Sequence, residues 1–363
     1  MNIGIVGNGK MGNEIFWLTF NSGHNVVIMC VLNAREYEAK IKKQLAKMLK
    51  RGIVDQAGYD TYMSSYKVTE NYDDFRDCDL VIEAVPENPE LKRQIFSTLE
   101  RVTDNKCILA TNTSSIPLNQ IFSSCTLKER CAGLHFFYPV MLSSSVEINT
   151  EDFTSHQTIN TLSQLVTQMQ KNPLILKDKF NMFINMAIAV GSSHVCYSIF
   201  CSNISLSDAR NKIIPQYMEC SVFDIIDSVG TQIIGTSIRN FMNDENRSLL
   251  SWYMEHVFSN SEFGLKDSTA DPEKCKNEII LSFYAVLMNL TAYAYKEGNC
   301  SFSIIKAILE DMFMLHKGFN EVYHEYGYEL LTSFLDQYDN RMPCRIYNKI
   351  SKSVYDEVFG EGS

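Results

Sequence analysis

Residues 2–12 read NIGIVGNGKMG: a short run rich in β-branched residues, then Gly7-x-Gly9-x-x-Gly12, then an amphipathic stretch. A buried strand, a glycine turn and a helix N-terminus in that order form a seat for the diphosphate of a dinucleotide. The first glycine permits the tight turn, the second lets the diphosphate approach the backbone, and the third lets helix pack on strand, while the helix N-terminus favours the anion. Gly7, Gly9, Met11 and Gly12 are therefore candidate cofactor-binding residues. A second strand, NVVIM (25–29), follows the helix and completes the unit.

Outward from there, short apolar runs alternate with helical stretches. Strands are expected at 2–6, 25–29, 79–85, 106–111, 131–137, 145–148 and 173–177, and helices at 10–22, 35–51, 89–102 and 155–169. Such alternation implies an α/β fold, a doubly wound, mostly parallel sheet of Rossmann-like type with helices on both faces. Beyond residue 180 the strand signal stops. Helical periodicity marks 181–200, 206–217, 221–243, 247–258, 279–296, 302–314 and 319–338, with a polar linker at 260–278. The expected division is a dinucleotide-binding domain (1–180) followed by an all-α domain (181–363). N-x-S-x-S at 203–207 recurs at 299–303, each time after a long apolar helix. This suggests that the helical part is doubled, with repeats at 181–259 and 279–363.

The 363 residues are 45% hydrophobic and 21% charged, with a net charge of −10. That is a globular composition able to bury a large core, and it lacks the basic footprint that nucleic acid requires. Eleven cysteines, scattered and without paired CxxC spacing, sit mostly in apolar segments. They point to free thiols in a reducing, intracellular (cytoplasmic) setting rather than to disulfides or a metal site. No signal peptide is expected before the first strand. No run approaches ~20 uninterrupted apolar residues, so no membrane span is expected either.

A dinucleotide site of this type also calls for an acidic residue at the end of the second strand, to grip the ribose hydroxyls. Cys30 stands there, and a thiol cannot accept two hydroxyl hydrogen bonds as a carboxylate does. Three readings stay open: weakened NAD binding, an NADP site in which Arg35 reaches a 2′-phosphate, or decay of the site. The chemistry residues lie further on. ATNTSSIPL (110–118) places Asn112, Ser114 and Ser115 after a strand, at the sheet edge where open α/β sheets bind ligands. GLHFFYPV (133–140) carries His135, and Glu147 follows twelve residues later in SSSVEINT (143–150), on a strand able to run beside it. A buried carboxylate next to an imidazole fixes its tautomer and stabilises the imidazolium.

Together GNGKMG (7–12), VIEAVPENPELK (81–92), TNTSSIPL (111–118), AGLHFFYPV (132–140), Val146-Glu147 and FIN (183–185) resemble the L-3-hydroxyacyl-CoA dehydrogenase family. The likeness covers the first 185 residues well and the remainder in outline. It implies a Rossmann-like domain followed by a helical dimerisation domain, NAD as cofactor, and hydride transfer between the cofactor and C3 of a 3-hydroxyacyl thioester. The family's catalytic positions fall on Ser114, His135, Glu147 and Asn185. His135 would act as general base, oriented by Glu147, with Ser114 and Asn185 hydrogen-bonding the reacting oxygen. Glu87 and Lys92 fall on cofactor contacts. Gln44 and Arg51, on the basic helical stretch 38–52, fall on contacts with coenzyme A, and Lys47 would add to the same phosphate patch.

The chain departs from the family at Cys30, at Tyr138 (an asparagine near nicotinamide and substrate), at Ser144 and Met186 (usually basic), and in the glycines missing from 213–230. Tyr138 would reshape the acyl pocket. The expected partner is an acyl thioester, carried by coenzyme A or by an acyl carrier protein. A catalytically inactive nucleotide-binding homologue is the alternative from another class. Self-association as a homodimer, or a pseudo-dimeric monomer if the doubling is real, completes the expectations.

Overall fold

Strand β1 (Asn2–Val6), buried from Ile3 onward, turns through the three glycines into α1 (Lys10–Asn21), and β2 (Asn25–Met29) lies parallel to β1. The computed structural model describes residues 1–177, 183–219, 223–224, 269–297, 302–341 and 349–360. They fall into two compact units, Met1–Asn181 and Met182–Ser363.

In the first unit the chain continues through α2 (Ala34–Lys50), α3 (Gln56–Ser64), β3 (Tyr66–Thr69), β4 (Leu80–Glu83), α4 (Pro89–Val102), β5 (Ile108–Thr111) and α5 (Leu118–Ile121). It ends with β6 (Cys131–Phe136), β7 (Ser145–Thr150), α6 (His156–Gln168) and β8 (Asn172–Lys177). The eight strands form one sheet in the order β3-β2-β1-β4-β5-β6-β7-β8. Every pairing is parallel except β6 with β7. β4, β5 and β6 are buried along their whole length, as strands covered on both faces must be. One core, around Phe16, Ile28, Leu45, Leu134 and Leu165, lies under α1, α2 and α6. A second, around Phe75, Phe96, Leu109, Leu118 and Phe122, lies under α4 and α5.

Two elements of this unit carry no clear sequence signal. α3 has no fully buried residue, though Tyr59, Tyr62 and Met63 rest half-covered on the core; the Asp55 carboxylate, accepting from Gly58 N at 2.8 Å, caps its start. β3 is a four-residue edge strand of mixed polarity, held by its register with β2.

In the second unit, α7 (Phe183–Cys201) is buried without a break from Ala187 to Ile199, hydrophobic all round as a core helix is. It packs against α8 (Pro272–Glu297) through a Ser198–Ser282 hydroxyl contact at 2.8 Å. Residues 272–296 are long and apolar enough to span a bilayer, yet 83% of their most apolar window is buried inside the unit. α9 (Phe302–Phe313), α10 (Phe319–Arg341, broken at Gly327) and α11 (Lys352–Phe359) follow. The helix expected at 206–217 is instead a series of short turns, interrupted by Pro215. Residues 272–278, expected as linker, belong to α8. The helices expected at 221–243 and 247–258 lie outside the described residues apart from 223–224, and so does much of each expected repeat.

Candidate active site

The glycine turn is shaped by contacts that exclude side chains. Gly7 has φ +112°, and a Cβ there would stand 2.7 Å from the Ala84 carbonyl oxygen. At Gly12 a Cβ would meet the Gly7 carbonyl oxygen at 2.0 Å. Gly9 differs: nothing lies within 4 Å of its missing Cβ, and no side chain caps the helix it starts. Open space above Gly9, facing the unbonded first amides of α1, is a cradle that fits a diphosphate. Met11, half-buried, packs on the core behind it.

The fit fails one strand over. Cys30 is fully buried among Ile28, Tyr37 and Ile41, and burial, with the nearby Glu70 charge, pushes its thiol up to about 11. Cys30, expected at the cofactor, has its side chain in the core, where a neutral thiol offers no carboxylate-like grip on a ribose. Arg35 stands in the first turn of α2.

His135 and Glu147 come together. β6 and β7 run antiparallel with His135 directly opposite Glu147, and directly opposed side chains share a face. The His135 Nδ1–Glu147 Oε2 distance is 2.8 Å, with His135 6% and Glu147 0% exposed. With the carboxylate accepting a hydrogen bond from Nδ1–H, the lone pair of a neutral ring lies on Nε2. Behind the pair, Gly133 faces Asn149; a Cβ at 133 would come within 2.8 Å of the Asn149 Cβ.

β5 ends beside β6, and its outgoing loop is tied down at several points. Asn112 Oδ1 accepts from Phe136 N at 2.8 Å, joining the ends of β5 and β6. Glu87 accepts from Thr113 Oγ1 (2.6 Å), Ser114 N (2.8 Å), Ser115 Oγ (3.1 Å) and Ser114 Oγ (3.4 Å). Burial alone would raise the Glu87 carboxyl, but the Lys92 charge and these donors hold it below the usual range. Glu87 thus positions Ser114.

Lys92, expected as a cofactor contact, is engaged by acceptors within the protein. Its ammonium, 1% exposed, donates to Glu83 Oε1 (2.7 Å), Glu87 Oε2 (3.1 Å) and the Val85 carbonyl (3.3 Å). Three donors meet three protein acceptors, so Lys92 serves to neutralise and aim two carboxylates. Glu83, fully buried, also accepts from Val85 N (2.7 Å) and Thr111 Oγ1 (2.6 Å). Sequence reading passed over Glu83; its signal is a lone charge closing the apolar strand LVIE, with a lysine one helical turn into α4. Asn88, whose side chain accepts from Leu91 N at 3.0 Å, starts that helix and so sets where Lys92 falls.

The loop after β6 folds over α1. Val140 N donates to Glu14 Oε2 at 2.5 Å, and Lys10 Nζ lies 3.5 Å from the centre of the Tyr138 ring, a cation–π contact. Neither Glu14 nor Lys10 was singled out from sequence. Next to this loop is a cleft of about 370 Å³ lined by Glu14, Trp17, Gln44, Met48, Ile53 and Met141. Gln44 therefore faces a cleft, and Lys47 and Arg51, both exposed, continue its stripe along α2 at helical spacing. Asn185 stands in the first turn of α7, in the second unit, and its side chain lies outside the description.

Residues 2–179 match the family described as 3-hydroxyacyl-CoA dehydrogenase, NAD binding domain. The chain is 35% identical over 186 residues to the peroxisomal fatty acid beta-oxidation multifunctional protein MFP2 of Arabidopsis thaliana, a match covering 50% of this chain and 26% of that protein. It is 30% identical over 187 residues to 3-hydroxybutyryl-CoA dehydrogenase of Clostridioides difficile, covering 51% of this chain and 66% of the relative. The fold is similar over its whole length to the crystal structure of 3-hydroxybutyryl-CoA dehydrogenase from Escherichia coli K12, with a TM-score of 0.80 at 16% identity, covering 99% and 98% of the two chains. The chain thus spans about a quarter of the plant relative and two thirds of the clostridial one.

Proposed function

Through residues 2–179 the chain belongs to the 3-hydroxyacyl-CoA dehydrogenase family, and from that premise we propose that it interconverts a 3-hydroxyacyl thioester and its 3-keto form. The observation that carries this reading is the His135–Glu147 pair, 2.8 Å apart at the sheet edge that holds Asn112 and Ser114. In the oxidising direction, His135 Nε2 accepts the proton of the substrate's 3-hydroxyl. Glu147 keeps the ring in the tautomer that can do so and stabilises the imidazolium that results. Ser114, held by Glu87, orients the same oxygen. NAD, when bound, supplies the hydride acceptor; the open turn at Gly9 and the start of α1 would hold its diphosphate.

Gln44, Lys47 and Arg51 beside the cleft would meet the carrier's phosphates, and Tyr138, fixed by Lys10, would border the acyl group. The test is to mix the chain with NADH and acetoacetyl-CoA and follow the loss of NADH absorbance. Oxidation of NADH supports the proposal. NADH binding without oxidation, on both acetoacetyl-CoA and an acetoacetyl carrier protein, overturns it. We further propose that the helical unit mediates self-association, which sedimentation would read as a mass near twice that of one chain.

A further inference from the structure

The ribose carboxylate missing from β2 has a neighbour able to replace it. β2 and β3 are parallel, with Met29 opposite Thr69, and Cys30 N donates to the Thr69 carbonyl at 2.9 Å. Cys30 and Glu70 therefore leave the sheet side by side, roughly 4.8 Å apart, the spacing of adjacent strands. Register partners in the pair share a face: Val26 with Tyr66, then Ile28 with Val68. Cys30 with Glu70 continues that row on the side of the sheet covered by α1. There the two residues diverge, since Cys30 is fully buried whereas Glu70 is exposed. The Glu70 charge is close enough to act on the Cys30 thiol.

Other groups at this corner are unsuited to the task. Asp74 is engaged by Lys67 Nζ at 2.7 Å and by the Thr69 hydroxyl. Val31 and Leu32, 72% and 76% exposed, are apolar. Among the described residues Glu70 pairs with no cation. Its side chain is one methylene longer than an aspartate's, which offsets part of the one-strand displacement.

We propose that Glu70 is the carboxylate that grips the adenosine ribose hydroxyls, taking over from β2 the role that Cys30 cannot fill, and that it thereby selects NAD against NADP. A carboxylate accepts hydrogen bonds from both hydroxyls of an unmodified ribose and repels a 2′-phosphate. The inference rests on the dinucleotide reading of the first unit, but not on which substrate is reduced.

The experiment is a fluorescence titration of NADH and NADPH into wild type, Glu70→Gln, Glu70→Asp and, as a neighbouring exposed acid, Asp73→Asn. Thermal unfolding is recorded for each. Losing charge-assisted hydrogen bonds to the ribose should weaken NADH binding roughly tenfold or more in Glu70→Gln, with NADPH unchanged or tighter. Glu70→Asp should fall between, and Asp73→Asn should match wild type, at unaltered unfolding temperatures. If wild type binds NADH and Glu70→Gln binds it within twofold, this assignment is wrong while the dinucleotide reading survives. If wild type binds neither dinucleotide, both fall.

Discussion

At the scale of single residues, the site divides into side chains whose role follows from their type and side chains whose role follows from their neighbours. His135 and Glu147 are of the first kind. Their residue types and spacing already suggest a base and its orienter, and the register of β6 on β7 sets them 2.8 Å apart. Replacing His135 by glutamine should lower kcat by ~10²–10⁴ with a much smaller change in KM, since general-base assistance is lost but binding is not. Equal kcat in steady-state assays would exclude His135 as the base. Glu83, Glu87 and Lys92 are of the second kind. Glu87 and Lys92 carry the letters of any solvated helix end and Glu83 those of a strand end, and only burial reveals that one ammonium serves two carboxylates. Lys92→Met leaves a buried carboxylate without its cation and should cost about 3–5 kcal/mol in urea unfolding, far beyond the effect of an exposed lysine. A loss under 1 kcal/mol would show that the network is not what it looks like.

Among the elements, the strand–glycine–helix opening separates folding from binding residue by residue. A side chain at Gly9 meets open space, and its φ of −66° is one that any residue adopts. Gly9→Val should therefore leave the unfolding temperature within a few degrees and abolish NADH binding. Gly12→Ala drives a methyl group against the Gly7 carbonyl at 2.0 Å and should destabilise the first unit as well. The paired measurement is thermal unfolding and NADH titration on both variants. Retained binding in Gly9→Val would mean that the cradle is not the diphosphate site. These strands and helices could be read in advance because their apolar periodicity is strong. α3 could not, because its apolar face of Tyr59, Tyr62 and Met63 is only half-covered within a short polar segment, and β3 could not, because a four-residue edge strand is defined by its partner.

For the molecule as a whole, each unit carries its own core, and the helical one contains a titration that links its stability to pH. His194, on α7, is fully buried, and desolvation pushes its imidazole down to about 3. The unfolded chain takes up this proton as pH falls through about 6.5, whereas the folded chain does so only near 3. Stability from the neutral ring is thus complete above neutrality and declines on acidification through that window, by about 2 kcal/mol at about pH 5. Urea unfolding near neutrality and near pH 5 should show this loss in wild type and a smaller one in His194→Gln. Identical losses would place the acid sensitivity elsewhere.

The amino-acid sequence by itself determined the βαβ opening, the mostly parallel sheet, the change to helix after residue 180 and the residue types of the His135–Glu147 pair. All of these rest on periodicity and local steric rules that act over a few residues. The tertiary structure alone decided that β7 turns back antiparallel, so that His135 faces Glu147, that Cys30 points into the core while Glu70 beside it meets water, and that Lys92 lies between two carboxylates. Register and burial are set by contacts between segments far apart in the chain. No local pattern encodes which charge will lose its water.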